Sequence, residues 1–131
     1  MSTKAQTTWS KRAQKAHRAK WVEALRSGRY RQGAGYLNRD GAMCCLGVAC
    51  DLSGVGEWKP ADKISVFVVG GERDGRSLPP TVVLRFMGLH DQFGSFGTEH
   101  VESLADMNDS GKSFAEIADI IESEPPGLVV K

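Results

Sequence analysis

From Trp9 to Ser27, a turn of about 100° per residue gathers Ala13, His17, Trp21, Ala24 and Leu25 on one side of a helix. Lys11, Lys15, Arg18 and Arg26 fall on the other side, so the pattern predicts an amphipathic helix over 9–27, stopped at Gly28. The apolar side before Trp21 is mostly alanine, which demands close packing. His17 on that side reads as a packed or edge residue rather than a ligand.

Shorter periods follow. GYLN and AMCC flank Arg39-Asp40-Gly41, the chemistry of a tight hairpin turn, and the second run leads straight into a short helix over 45–53 stopped at Gly54. Trp58 and Pro60 are read as a loop, ISVFVV at 64–69 as a buried strand, and GGERDG at 70–75 as a turn leading towards another short strand. Ser77-Leu78-Pro79-Pro80 opens a helix over TVVLRFM that ends at Gly88, with Val82, Val83, Phe86 and Met87 inward. QFGSFG suits a short strand, with Thr98 capping a helix that runs to about Met107. Asn108-Asp109-Ser110-Gly111 reads as a turn before the best-specified helix. There Ser113 and Glu116 form a capping box, and Phe114, Ile117, Ile120 and Ile121 supply the stripe. Pro125-Pro126-Gly127 ends that helix.

Helical and strand signals alternate without repeated βαβ units. The expected fold is α+β: one small domain over 9–123, its N-terminal helix and later helices packed on a small, mainly antiparallel sheet. Residues 1–8 and 124–131 are expected to be tails.

Composition adds compartment and polarity. Apolar runs such as VFVV are no more than strand-sized, so no segment is expected to span a membrane. The lysine- and arginine-bearing N-terminus has no apolar core of a secretory signal. Three cysteines, an odd number, do not make a secreted disulfide framework, so a reducing cytosol is expected. The net charge of +1 conceals a split: residues 1–40 hold ten Lys and Arg against two acids, a charge of +8, whereas residues 41–131 carry −7. Either the basic segment seeks an acidic partner, or it rests on the acidic remainder or on a second copy of the chain in a homo-oligomer.

Cys44, Cys45 and Cys50 admit three readings. A zinc site wants four ligands in close pairs, but helical geometry points Cys45 and Cys50 about 140° apart, and His17, His90 and His100 form no ligand pair. No metal and no cofactor is expected. A nucleophile is the second reading: Cys44 or Cys45 at a strand-to-helix junction, Gly47 soon after, and His90 or His100 downstream resemble the order of papain-like and NlpC/P60-type hydrolases. The third reading is packing, because reduced cysteine behaves as a small apolar residue and needs no chemistry to explain it. Packing is the expectation.

GKSFAEIADII resembles the first helix of a helix-turn-helix motif, but SEPPGLVVK follows in place of a recognition helix. Non-specific nucleic-acid binding through the basic helix stays open. There is no phosphate-loop, dinucleotide or HExxH motif.

The stretches KWVEALRSGRYRQGAGYL, CCLGVACDL, LPPTVVLRFMGL and LADMNDSGKSFAEIADIIE, in this order, resemble a family of small uncharacterised proteins of tailed bacteriophages, especially those of actinobacteria. Other members often carry a bulkier residue at the position of Ala49 and often a tryptophan near Phe86. The resemblance implies a phage-encoded protein in the cytoplasm of the bacterial host. Non-enzymatic, stoichiometric binding of a host protein or defence component is the leading expectation. Its surface residues are Lys11, Lys15, Arg18 and Arg26, and for a signalling nucleotide Arg29, Arg31 and Arg39. A nucleic-acid-binding accessory protein is the second reading and a cysteine hydrolase the third.

Overall fold

The computed structural model describes residues 7–131; most of the expected N-terminal tail, residues 1–6, lies outside the described residues. Helix α1 spans Lys11–Arg26, with Ser10 capping it by accepting the Ala13 N–H at 3.1 Å. Strands β1 (Asn38–Arg39) and β2 (Ala42–Met43) form the expected hairpin. Its two turn residues, Asp40 (φ 52°) and Gly41 (φ 83°), both lie in the left-handed region that a two-residue hairpin turn requires. Helix α2 (Cys45–Ser53) ends at left-handed Gly54, within the predicted bounds.

Strands β3 (Glu57–Ala61) and β4 (Ile64–Val68) pair antiparallel, with Trp58 opposite Phe67 and Pro60 opposite Ser65. The expectation of a loop at Trp58 and Pro60 is therefore corrected. The sheet order is β2-β1-β4-β3, so β3 is an edge strand, the place where a sheet tolerates a proline that cannot donate. Gly75 adds a single bridge to Phe67, which is as much strand as GGERDG leads to.

Helix α3 (Thr81–Met87) ends at left-handed Gly88. Its cap is Pro80, and the missing side-chain acceptor is supplied by Glu72, whose carboxylate takes the Thr81 N–H at 2.7 Å and the Val82 N–H at 3.3 Å. Strands β5 (Ser95–Phe96) and β6 (Glu102–Ser103) make a second, two-stranded antiparallel sheet. Ser103, not Thr98, caps helix α4 (Leu104–Asp109). Helix α5 (Phe114–Ser123) begins with the predicted capping box.

The fold is α+β, as expected: among the described residues, five helices, a four-stranded antiparallel sheet and the small second sheet. Helix α2 sits at its centre, touching α1, α3 and α4. Every residue from Cys45 to Cys50 is buried, so the helix is apolar on all sides until the exposed Asp51 in its last turn. Gly47 is where the chain passes closest: a Cβ there would collide with the Leu37 carbonyl oxygen and lie 2.8 Å from its carbon. That contact presses α2 onto the strand entering the hairpin.

The C-terminal segment is not a loose tail. Leu128 is fully buried, the His90 N–H donates to Leu128 O at 2.9 Å, and the Val130 N–H donates to Gly88 O at 2.9 Å. Prolines and glycine end α5 as predicted, but the chain beyond them recovers its hydrogen bonds on the end of α3.

Candidate functional site

The basic helix divides into two kinds of residue. Gln14, His17 and Arg18 turn inward and meet the C-terminal end of α3. Gln14 Nε2 donates to Arg85 O at 2.8 Å, His17 Nδ1 lies 2.7 Å from Phe86 O, and an Arg18 Nη donates to Met87 O at 2.7 Å. Three successive carbonyls left open by the helix end thus find partners on α1, and the cation sits where the helix dipole favours it. The His17 ring stacks on Phe86 at 3.6 Å, and Trp9 meets both rings edge-on.

The expectation that Arg18 is part of an exposed face is overturned. It is 8% exposed and pairs with Glu124 at 3.0 Å. Helical spacing allowed this, since positions 14, 18, 21, 22 and 25 make one continuous buried stripe; the polar side chains at 14 and 18 disguised it. Arg26 is only partly free, clasping Asp119 at 2.6 Å and Glu122 at 3.1 Å on α5. Part of the N-terminal charge therefore does rest on the acidic remainder of the chain.

Lys11 and Lys15 are exposed as expected, and so are Arg12 and Lys20, which the sequence reading did not single out. Among the described residues, none of these four has an ion pair or side-chain hydrogen bond. Arg29 is exposed and engages the Ser27 hydroxyl. Arg31 donates to Asp40 O, bracing the hairpin turn, and Arg39 lies over the Tyr36 ring at 5.8 Å. Arg39 also lines a cleft of about 300 Å³ with Tyr36, Lys63 and Arg76.

Cys44 occupies the predicted junction as the cap residue of α2, but its side chain makes no capping hydrogen bond. Cys44, Cys45 and Cys50 are all buried and unpaired, as the packing reading expects. Burial pushes all three thiols up, Cys45 and Cys50 well above the ordinary value, and at Cys44 it outweighs the N–H groups of Gly47 and Leu46. A nucleophile wants the opposite shift. His90 and His100 are exposed, and among the described residues neither bonds to a cysteine. His100 lies in the bend before β6, not in a helix. Gly47, read as a possible hydrolase feature, is explained by the close approach of Leu37. Among the described residues, no three His, Cys, Asp or Glu side chains converge as a metal site.

Two hydrogen-bonding hubs escaped the sequence reading. Asn108, placed there in a turn, is buried at the end of α4. Its Oδ1 accepts the Cys45 N–H at 3.1 Å and Gln32 Nε2 at 3.0 Å, while its Nδ2 donates to Gly33 O at 2.7 Å. It thereby supplies the cap that Cys44 does not. Asp51 accepts the Tyr30 hydroxyl at 2.6 Å and the Trp58 indole N–H at 3.0 Å, and burial together with Asp51 pushes Tyr30 up to about 12. Both hubs are structural.

No helix among the described residues is long and apolar enough to cross a membrane. No curated protein and no solved structure matches the chain. The family model described as Domain of unknown function (DUF8296) matches residues 13–125, which takes in all five helices and both sheets apart from the first two residues of α1, and the chain belongs to that family.

Proposed function

We propose that this is a phage-encoded accessory protein that works in the host cytoplasm without catalysis, by binding a host protein stoichiometrically through an acidic patch on that partner. One observation carries the reading. Lys11, Arg12, Lys15 and Lys20 are exposed on α1 and, among the described residues, uncompensated, whereas Arg18 and Arg26 on the same helix have internal partners. Four unpaired cations on one helix steer an acidic surface towards it and fix its orientation. The buried thiols, with their pKa values pushed up, support the non-catalytic part. The phage origin rests on the sequence motifs.

The test is charge reversal. Lys15→Glu with Lys20→Glu should abolish co-purification of a host protein while shifting stability by no more than about 0.5 kcal/mol, as expected for exposed charges. Arg18→Ala is the control: it leaves the Met87 carbonyl and Glu124 without their partner and should cost about 2 kcal/mol in urea unfolding. Unchanged capture by the reversed protein would refute the surface assignment. Capture of nucleic acid instead, weakening steeply with salt, would favour the accessory nucleic-acid reading.

A further inference from the structure

The strand order places two turns at one end of the sheet. β1 runs antiparallel to β4 with Arg39 opposite Ile64, so the Asp40-Gly41 turn after β1 lies beside the Asp62-Lys63 turn before β4. Arg76 joins them, its backbone carbonyl accepting the Leu37 N–H at 2.8 Å. Three cations from three separate segments, Arg39, Lys63 and Arg76, thus surround one cleft of about 300 Å³, with Tyr36 in its wall. Asp62 is the single carboxylate lining it and makes no ion pair with any of the three. The backbone beneath is held by the sheet, by the Arg31 bond to Asp40 O, and by Asn38 accepting the Gly41 N–H at 3.0 Å. Arg76 also borders a second cleft of about 490 Å³, lined by Arg73 and Asp74, where Glu72 is already engaged by the start of α3.

We propose that this cleft binds a nucleotide carrying two or more phosphates. Like charges held together on a rigid turn pair repel one another until an anion with several charges bridges them. Oligophosphate fits that need, and the guanidinium groups offer it forked donors. The volume, about 300 Å³, is at the lower end of small-molecule sites and suits a compact ligand. Tyr36 supplies what a bare phosphate would not use: an aromatic ring, with the Arg39 guanidinium lying over it at 5.8 Å, that a base can contact. This site shares no residue with the exposed face of α1 and does not depend on the partner proposed for it.

Isothermal titration with ATP and, separately, with sodium tripolyphosphate tests the assignment on the full chain at physiological salt. Both should bind, ATP more tightly. Arg39→Ala with Arg76→Ala should weaken both by about tenfold or more, since each removed cation loses a charge-assisted hydrogen bond. Tyr36→Leu should weaken ATP about fivefold or more and leave tripolyphosphate unchanged, and Tyr36→Phe should restore ATP binding. Thermal melting of each variant confirms folding. Absence of heat with either probe, or wild-type affinity in the double arginine variant, would overturn the site. Equal affinity for the two probes would remove the base from the assignment. A single-stranded oligonucleotide bound more tightly than ATP through the same residues would replace the nucleotide with a strand.

Discussion

Replacing Gly47 with alanine should destabilise this protein, although alanine is the better helix former. The added Cβ would overlap the Leu37 carbonyl oxygen and sit 2.8 Å from the carbonyl carbon and 3.2 Å from Cα. Carbon atoms pack at about 3.5–4.0 Å, so the backbone of residue 37 would have to retreat by more than half an ångström. It is poorly placed to do so: the Leu37 side chain is fully buried, its N–H is bonded to Arg76, and Asn38 next to it pairs with Met43. Forcing a methyl group against such a wall costs about 3 kcal/mol. The gain in helix propensity returns about 1 kcal/mol. The net loss is then about 2 kcal/mol, or a fall in Tm of about 6–10 °C for a domain of this size. Urea unfolding and thermal melting followed by circular dichroism would measure it. A variant as stable as the parent, or more stable, would refute the argument, because propensity would then outweigh contact and α2 could not be pressed against Leu37.

Asn108→Ala should cost about 2–4 kcal/mol in urea unfolding, because it leaves the buried Cys45 N–H and the Gly33 carbonyl without partners; a loss below about 0.5 kcal/mol would mean that water replaces the amide freely. Alkaline pH should weaken the fold. The thiols and Tyr30 have folded pKa values raised above their ordinary 9.0 and 10.0, so the folded chain holds more protons than the unfolded chain once pH exceeds those values. Stability contributed by these groups is full at neutral pH and falls above about pH 9, and Cys50→Ala should flatten the fall; unfolding midpoints independent of pH between about 8 and 10.5 would contradict the burial of these groups.

Several elements were set by local sequence alone. Asp40-Gly41 favours a tight turn, because glycine and, less readily, aspartate tolerate the positive φ that both take here. Gly54 and Gly88 stop α2 and α3 for the same steric reason, and Ser113 with Glu116 starts α5 through hydrogen bonds spanning three residues. The burial of the cysteines was legible too, since reduced cysteine behaves as a small apolar residue and Leu46, Val48, Ala49 and Leu52 surround it on adjoining sides of the helix. These signals act over a few residues, so no distant part of the chain needs to be known to read them.

What the sequence could not determine depends on partners far along the chain. Arg18 looks like a surface cation until α3, nearly 70 residues later, presents three unsatisfied carbonyls to α1. Asn108 looks like a turn residue until α2 arrives with an uncapped N-terminus. Trp58 and Pro60 read as a loop because proline is costly inside a sheet, and only the strand order reveals an edge that tolerates it. Leu128 follows every signal that should end a domain, yet the end of α3 offers it a buried site and backbone partners. The cleft at the hairpin is of the same kind: Arg39, Lys63 and Arg76 carry no common spacing, and only the antiparallel pairing of β1 with β4 brings their charges together. Local conformation follows from short-range sterics and hydrogen bonding, whereas the identity of a site here follows from which unsatisfied groups the packed elements bring face to face.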